Sequence, residues 1–213
     1  MMTRAHISWV LAACLLCCAV SALAAPAQEK ERNWRFGLHG ASTWNDQFDV
    51  FGRDLPLAGA VSEEGRGGGF VVGRMFGHRF LLDLQVTAAE HDIAGDDSNM
   101  LGSWALINGS VFFRNGHVLQ PFVRGGFGGG GWDLQYPEGQ GHVLSFGTAA
   151  ILGVGLSARL SPRFSLELEG LATFTNHLEV DNESDVLADE PESWKVRASS
   201  QGWRLGLGLS FWF

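Results

Sequence analysis

The last ten residues of the chain, RLGLGLSFWF (204–213), alternate strictly between two kinds of side chain. Alternation with a period of two predicts a β-strand, because successive side chains of a strand point to opposite sides of the backbone. One face of this strand is large and apolar, whereas the other is small or charged and ends on a tryptophan. The two faces are Leu205, Leu207, Leu209, Phe211 and Phe213 on one side, and Arg204, Gly206, Gly208, Ser210 and Trp212 on the other.

Seven further segments alternate in the same way, so the sequence predicts eight strands. Their expected bounds are 34–43, 67–76, 79–90, 101–114, 117–131, 143–160, 163–177 and 200–213. Tight turns of the kind found in hairpins are Gly77-His78, Asn115-Gly116 and Ser161-Pro162. Long polar loops fill the other connections, at 44–66, 91–100, 132–142 and 178–199. This alternation of short and long connections predicts an antiparallel up-and-down meander, to which a hairpin hidden in the first loop would add strands.

The distribution of residues between the two faces indicates which side of this sheet meets lipid. In 164–169, phenylalanine and leucine alternate with Ser165, Glu167 and Glu169. A soluble barrel has the opposite arrangement, with large apolar residues inside and charges outside. Small and charged residues can line the interior only if lipid surrounds the barrel, and a sheet in lipid must close so that no backbone group is left unpaired.

Aromatic residues near the strand ends support this orientation, since membrane barrels carry one aromatic belt at each interface. We assign to the belt at the short turns Trp34, Phe36, Phe76, Phe80, Phe113, Phe164, Phe211 and Phe213. We assign to the belt at the long loops Trp44, Trp104, Trp132, Tyr136, Phe174 and Trp203.

The first 25 residues predict export. Arg4 precedes an apolar run over 7–19, which is too short for a spanning helix, and Ala22-Leu23-Ala24 forms the small-residue pattern of a signal-peptide cleavage site. We therefore expect a cleaved signal peptide over 1–25 and one barrel domain over 26–213. A lipoprotein site in LAAC (11–14) is the weaker alternative, because the apolar stretch before its cysteine is short.

Cysteine usage and charge exclude several classes of function. All three cysteines lie within the expected signal peptide, at 14, 17 and 18, so we expect no disulfide, no thiol chemistry and no cysteine-ligated metal in the mature chain. The formal net charge is −8, and removing Arg4 lowers it by one, to −9. A negative balance argues against a nucleic-acid partner.

The chain resembles the eight-stranded outer-membrane β-barrels of the OmpA/OmpX type. The resemblance rests on the terminal SFWF (210–213), the hairpin 153–170 and the glycine-rich segment 119–131. It implies an all-β fold, namely a closed antiparallel up-and-down transmembrane barrel of eight strands with short periplasmic turns and long extracellular loops. It also implies a place in the Gram-negative outer membrane, contact with outer-membrane lipid and lipopolysaccharide, and recognition of Phe211 and Phe213 by the barrel-assembly machinery. We expect a monomer.

Charged residues on the inward face are the principal candidate site. By parity, the predicted lumen network contains Arg35, Arg74, Asp83, Arg124, Arg159, Glu167, Glu169 and Arg204. An eight-stranded barrel is just wide enough for side chains to fill it, and an unpaired buried charge costs several kcal/mol. We therefore expect salt bridges that plug the lumen and a non-enzymatic role in membrane structure or surface interaction. The alternative is a narrow gated channel, in which breaking one pair opens a path for small ions.

A lipid A-modifying enzyme is the third hypothesis. Thr175, His177, Glu179 and Asp181 lie near one strand end, and a hydrolase needs a nucleophile, a base and an orienting carboxylate close together. Parity, however, turns His177 into the lumen and away from a lipid substrate. We therefore expect no catalytic residue, no cofactor and no metal site.

Two composition-biased segments have simple structural explanations. Seven carboxylates lie between 179 and 192 without any lysine or arginine, which predicts a solvated, disordered loop, with weak binding of divalent cations near lipopolysaccharide phosphates as the alternative. GGFGGGG (125–131) contains G-x-G-x-x-G but lacks the helix that a dinucleotide site requires. We expect its glycines to relieve crowding inside a narrow barrel.

Overall fold

The computed structural model describes residues 33–45, 61–93, 98–113, 118–136 and 140–213, so the expected signal peptide lies outside the described residues. Eight antiparallel strands in chain order form a closed barrel, in which β1 pairs with both β2 and β8. The strands are β1 (Trp34–Asn45), β2 (Val61–Phe76), β3 (Phe80–Ile93), β4 (Asn99–Phe112), β5 (Leu119–Gln135), β6 (Gly141–Arg159), β7 (Phe164–Ser184) and β8 (Ser193–Trp212). The predicted fold class is therefore confirmed.

No helix in the described part of the chain is long and apolar enough to cross a membrane.

The strands extend further toward the long-loop end than the sequence predicted. β7 ends at Ser184 and β8 begins at Ser193, with a short 3-10 helix (Asp185–Leu187) between them. The predicted disordered loop is therefore wrong for most of its length. In the sequence-based prediction, the many carboxylates of this segment hid the apolar residues that point inward. Three of these apolar residues, Val180, Leu187 and Val196, are buried. A membrane strand needs about 9–11 residues, whereas β8 has 20, so the strands are long enough for this end of the barrel to project past a lipid bilayer.

The pairing of the strands gives the barrel a stagger of ten residues. When residues paired in register are followed around the wall from Arg35, the path returns to β1 at Asn45. Strand tilt is the geometric consequence of such a stagger. Gly77, with φ of 60°, supplies the left-handed conformation that the tight turn between β2 and β3 requires.

Burial alternates along the strands and places the apolar face outside. In β8 every second residue from Leu205 to Phe213 is exposed, and the residues between them are buried or partly buried. All eight aromatic residues assigned to the short-turn belt are exposed, and Phe146, Phe174 and Trp203 are exposed toward the other end. The apolar exterior is the surface that lipid would cover.

Three aromatic residues assigned to the long-loop belt lie inside the barrel instead. Trp132 and Tyr136 are buried in an apolar core, and Trp104 packs edge-on against Trp132 with their centroids 6.3 Å apart. Their position follows from the length of the strands, because the extended part of the barrel has an interior of its own to fill. The assignment by position along the chain was therefore wrong for these three residues.

Side chains fill the lumen in layers. The layer at the short-turn end consists of Leu81, Phe112, Phe122 and Trp212. A middle layer consists of Leu106, Ala149, Ile151 and Leu171. The apolar core at the long-loop end consists of Val61, Ile93, Met100, Trp132, Leu134, Tyr136, Val143, Val180, Leu187 and Val196.

The glycines of β5 provide a test of how closely the wall is packed. A methyl group at Gly128 would lie 2.0 Å from the Ala105 carbonyl oxygen, whereas at Gly125 its nearest neighbour is 3.8 Å away. We expect Gly128→Ala to lower the free energy of unfolding by roughly 1–3 kcal/mol, the usual cost of overpacking, and Gly125→Ala to leave it nearly unchanged. Urea unfolding in phospholipid vesicles, followed by tryptophan fluorescence, measures both. Equal stability of the two variants would contradict the inferred packing.

Candidate functional site: a buried charge network in the lumen

Six charged side chains form one chain of alternating sign across the lumen. In order along the chain of contacts they are Glu167, Arg35, Asp83, Arg124, Glu169 and Arg204. Four of the five links join strands that are not neighbours in the sheet, and the fifth joins β7 to β8. Three positive and three negative charges balance, so this network, which we call the lumen network, carries no net charge.

Arg35 is fully buried and bridges two carboxylates from opposite parts of the wall. Its Nη2 donates a hydrogen bond to Asp83 Oδ2 at 2.8 Å, and its Nη1 donates to Glu167 Oε2 at 2.7 Å. The Ser210 hydroxyl donates to the other oxygen of Glu167 at 3.4 Å. The ring of Trp212, in the layer at the short-turn end, lies 6.0 Å from the guanidinium carbon of Arg35.

Asp83 is the most heavily shared acceptor of the lumen network. Besides Arg35, it accepts hydrogen bonds from Arg124 Nη2 at 3.2 Å and from Asn108 Nδ2 at 2.9 Å. Glycine at position 73 leaves space for it, because a Cβ there would lie 2.6 Å from the Cβ of Asp83. Three donors around one buried carboxylate compensate for its lost hydration.

Arg124 and Arg204 meet at the second shared acceptor, Glu169. Arg124 Nη1 donates to Glu169 Oε2 at 2.5 Å, and Arg204 Nη2 donates to Oε1 at 3.0 Å. Arg124 Nε also donates to the Ser110 hydroxyl at 3.0 Å. Each carboxylate oxygen of Glu169 thus has its own cationic donor.

Asn108, Gln85 and His39 complete the lumen network, and the sequence reasoning missed them because it selected only arginine, aspartate and glutamate. Asn108 also donates to Gln85 Oε1 at 3.1 Å, and the Gln85 amide nitrogen lies 3.3 Å from Nε2 of His39. All three residues share the inward parity of their strands, which is the signal that would have identified them. A cavity of about 20 Å³ lies beside them, lined in part by Glu167 and Glu169, and offers room for roughly one water molecule.

Arg74 is not in the lumen, so its assignment there was wrong. It is exposed on the outer face of β2, and its guanidinium carbon lies 5.5 Å from the ring centroids of both Trp34 and Phe76. The inward residues on either side of it are Gly73 and Met75. Phe70, Val72 and Phe76 share this face of β2, so strict alternation places Arg74 outside with them; the assignment to the lumen followed its charge and not its parity.

Arg159 has the expected inward parity but lies at the open short-turn end of the lumen. Its side chain is exposed, and its guanidinium carbon is 5.8 Å from the ring centroid of Trp212. The apolar layer that contains Trp212 thus has a cation on both sides, Arg35 within the lumen and Arg159 at the mouth. The structure therefore brings six of the eight predicted lumen charges into one network.

The residues considered for a hydrolytic triad do not converge. His177 is buried, with Nδ1 2.9 Å from the Ser145 hydroxyl and Nε2 3.2 Å from the Ser200 hydroxyl. Glu179 is exposed on the far side of a β-bulge that separates it from His177. The predicted inward orientation of His177 is confirmed, and its two described side-chain hydrogen-bond partners are both serines inside the barrel.

A second ionic cluster lies on the outer face beyond the apolar band and joins three strands. His142 Nδ1 is 3.0 Å from Asp133 Oδ1, and its Nε2 is 3.1 Å from Glu183 Oε2. Both ring nitrogens can donate only in the protonated imidazole. Burial lowers the pKa of His142, but its hydrogen bond with Glu183 and the charge of Asp133 outweigh burial, so the pKa is raised above its ordinary value of 6.5.

Comparison with known proteins identifies the family and the fold. The family described as outer membrane protein beta-barrel domain matches residues 10–211. The structure is similar to that of Neisserial surface protein A, with a TM-score of 0.55 and 11% identity over 84% of this chain and 97% of that one. It is also similar to outer membrane protein AlkL in DMPC lipid bilayers, with a TM-score of 0.51 and 15% identity over 89% and 95% of the two chains. No curated protein sequence matches the chain.

The lumen network should stabilise the barrel far more than a surface ion pair does. In Asp83→Asn, Arg35 and Arg124 keep their buried charges but lose the carboxylate between them, and we expect a loss of about 3–5 kcal/mol in the free energy of unfolding. Asp133→Asn is the matched control, because it alters a partly exposed pair worth at most about 1 kcal/mol. Urea unfolding in vesicles gives both values, and a similar loss in the two variants would show that the lumen charges are not coupled.

The cluster around His142 predicts a pH-dependent contribution to stability. Because the folded-state pKa is raised, the contribution of His142 is fully present below the unfolded-state pKa of about 6.5 and is lost as the pH rises through the folded-state value. His142→Gln should therefore destabilise the barrel at about pH 5.5 and have little effect at about pH 9. Unfolding of the variant and the parent chain across this range measures the difference. A constant difference at every pH would contradict the assignment.

Proposed function

The chain belongs to the family of outer membrane protein β-barrel domains, and from this premise we propose that it is a Gram-negative outer-membrane protein whose lumen is closed by salt bridges. Its role on this proposal is structural or in surface interaction, and it is not an enzyme. Export would depend on the signal peptide over 1–25.

The single observation that carries the proposal is the lumen network itself. Its donors and acceptors are 2.5–3.4 Å apart, and apolar layers lie on both sides of it. An ion crossing the lumen would have to separate these charges, and a separated buried charge costs several kcal/mol. The packing therefore favours a plug over a gate.

Surface interaction on this proposal takes place at the end of the barrel that extends beyond the membrane. The outer part of β7 and its connection to β8 carry the seven carboxylates from Glu179 to Glu192, whereas the outer part of β8 carries only two cations, Lys195 and Arg197. Val186 at the tip is exposed, whereas Leu187 packs into the apolar core. The hairpin thus offers an acidic surface on a rigid support, suited to a basic partner or to divalent cations shared with lipopolysaccharide phosphates.

The opposite end of β8 would serve biogenesis. Phe211 and Phe213 are exposed on the outer face and stack with their ring centroids 5.9 Å apart and their planes at 22°. A paired aromatic terminus on the lipid face is accessible to the barrel-assembly machinery before insertion, which supports the proposed signal. Lipid and lipopolysaccharide would surround the folded barrel, and we propose that it is a monomer.

Single-channel recording in a planar bilayer tests the plug against the gate. We expect the refolded protein to be silent and Glu167→Gln to remain silent, because Arg35 keeps Asp83 and the apolar layers stay in place. Heat-modifiable electrophoretic mobility confirms that the barrel is folded, and a known porin in the same bilayer confirms that openings are detectable. Discrete openings that change in size or frequency in Glu167→Gln would overturn the plug and establish the gated channel.

A further inference from the structure

Arg74 lies on the lipid-facing wall at the short-turn end, between two aromatic side chains. Trp34 faces it in register across β1 and β2, and Phe76 follows it on the same face of β2. Both rings are exposed, and both centroids lie 5.5 Å from the guanidinium carbon. We call these three residues the rim site. Aromatic rings hold a guanidinium in place through cation–π attraction but do not satisfy its N–H donors as an anionic oxygen would.

No described side-chain carboxylate forms an ion pair with Arg74. The side-chain carboxylates of the described residues at this end of the barrel, Asp83 and Glu167, are buried in the lumen network. Further cations lie nearby, since Arg79 and Arg163 stand in or beside the short turns and have no ion pair with another described residue. The outer rim at this end is therefore basic and aromatic.

We propose that the rim site binds the phosphate of an anionic glycerophospholipid in the leaflet that meets the short-turn end. A planar guanidinium matches the oxygens of a phosphate with two parallel hydrogen bonds. The flanking rings belong to the aromatic belt, which places the guanidinium at the depth of lipid head groups. This inference rests on the membrane placement proposed above.

The same geometry favours an anionic over a zwitterionic lipid. A choline or ethanolamine group beside the phosphate would bring a positive charge toward Arg74, Arg79 and Arg163, and no described side-chain carboxylate lies on the outer face at this end to pair with it. A glycerol head group adds no charge. Phosphatidylglycerol should therefore be preferred over phosphatidylcholine because the local potential of the rim is positive.

Lipid retention by the folded full-length barrel tests the rim site. The protein is reconstituted into nanodiscs of phosphatidylcholine with a minor fraction of phosphatidylglycerol, and the lipids that stay bound after mild detergent extraction are quantified by mass spectrometry. We expect phosphatidylglycerol to be enriched about fivefold over its bulk fraction, the effect of one arginine beside an anionic head group. The enrichment should disappear in Arg74→Gln and persist in part in Arg74→Lys, which keeps the charge but not the planar fork.

Arg66→Gln is the matched control, because Arg66 is exposed on the same face of the same strand but lies toward the other end, in register with Glu90. This variant should keep the full enrichment. Equal enrichment in the Arg74→Gln variant and the parent, or displacement of the lipid by excess inorganic phosphate, would overturn the site. Absence of the protein from the nanodiscs would overturn both the membrane placement and the site, whereas insertion without any head-group preference would overturn the site alone.

Discussion

Arg35 has no exposed surface, so its charge must be balanced entirely by groups that the barrel wall brings to it. Asp83 and Glu167 meet it from β3 and β7, and β7 comes near Arg35 only because β8 pairs with β1 and closes the sheet. The pairing of charges across the lumen therefore depends on closure of the sheet. Once the sheet has closed, a charge inside the lumen has no access to solvent through the wall and must be paired there. The alternating order of six charges lets every carboxylate contact a cation and every cation a carboxylate.

The glycines of the barrel wall leave the space that these large inward side chains occupy. A Cβ at Gly155 would lie 2.2 Å from the Phe122 ring, and one at Gly208 would lie 3.3 Å from the Cβ of His39. Guanidinium groups and aromatic rings can cross a narrow lumen only if the facing positions lack a side chain. The composition that made the sequence unusual for a soluble sheet is thus a consequence of filling an eight-stranded barrel with large polar groups.

The sequence predicted the strand number, the closed fold and most of the inward charges because period-two alternation is a local property. The unbroken pattern of 204–213 marks both faces of β8 directly. The prediction failed where a charge was assigned to the lumen against the parity of its neighbours, as at Arg74, and where the two faces changed character, as over 178–199 at the long-loop end. The partner of each charge, such as Asn108 beside Asp83, could not be predicted in this way, because it is determined by contacts between strands and not by the sequence of one strand.

Arg35 and Arg74 show how a guanidinium group finds hydrogen-bond acceptors on the two sides of the barrel wall. Inside, Arg35 takes its counter-charges from other strands, since no other anion reaches a closed and filled lumen. Outside, Arg74 lies among aromatic rings, and the described residues of the outer rim offer it no side-chain carboxylate. Because Arg74 is exposed, the acceptors for its N–H groups come from its surroundings. On the proposed membrane placement the anion at that depth is a lipid phosphate, so the head-group composition of the bilayer would determine whether Arg74 acquires a partner.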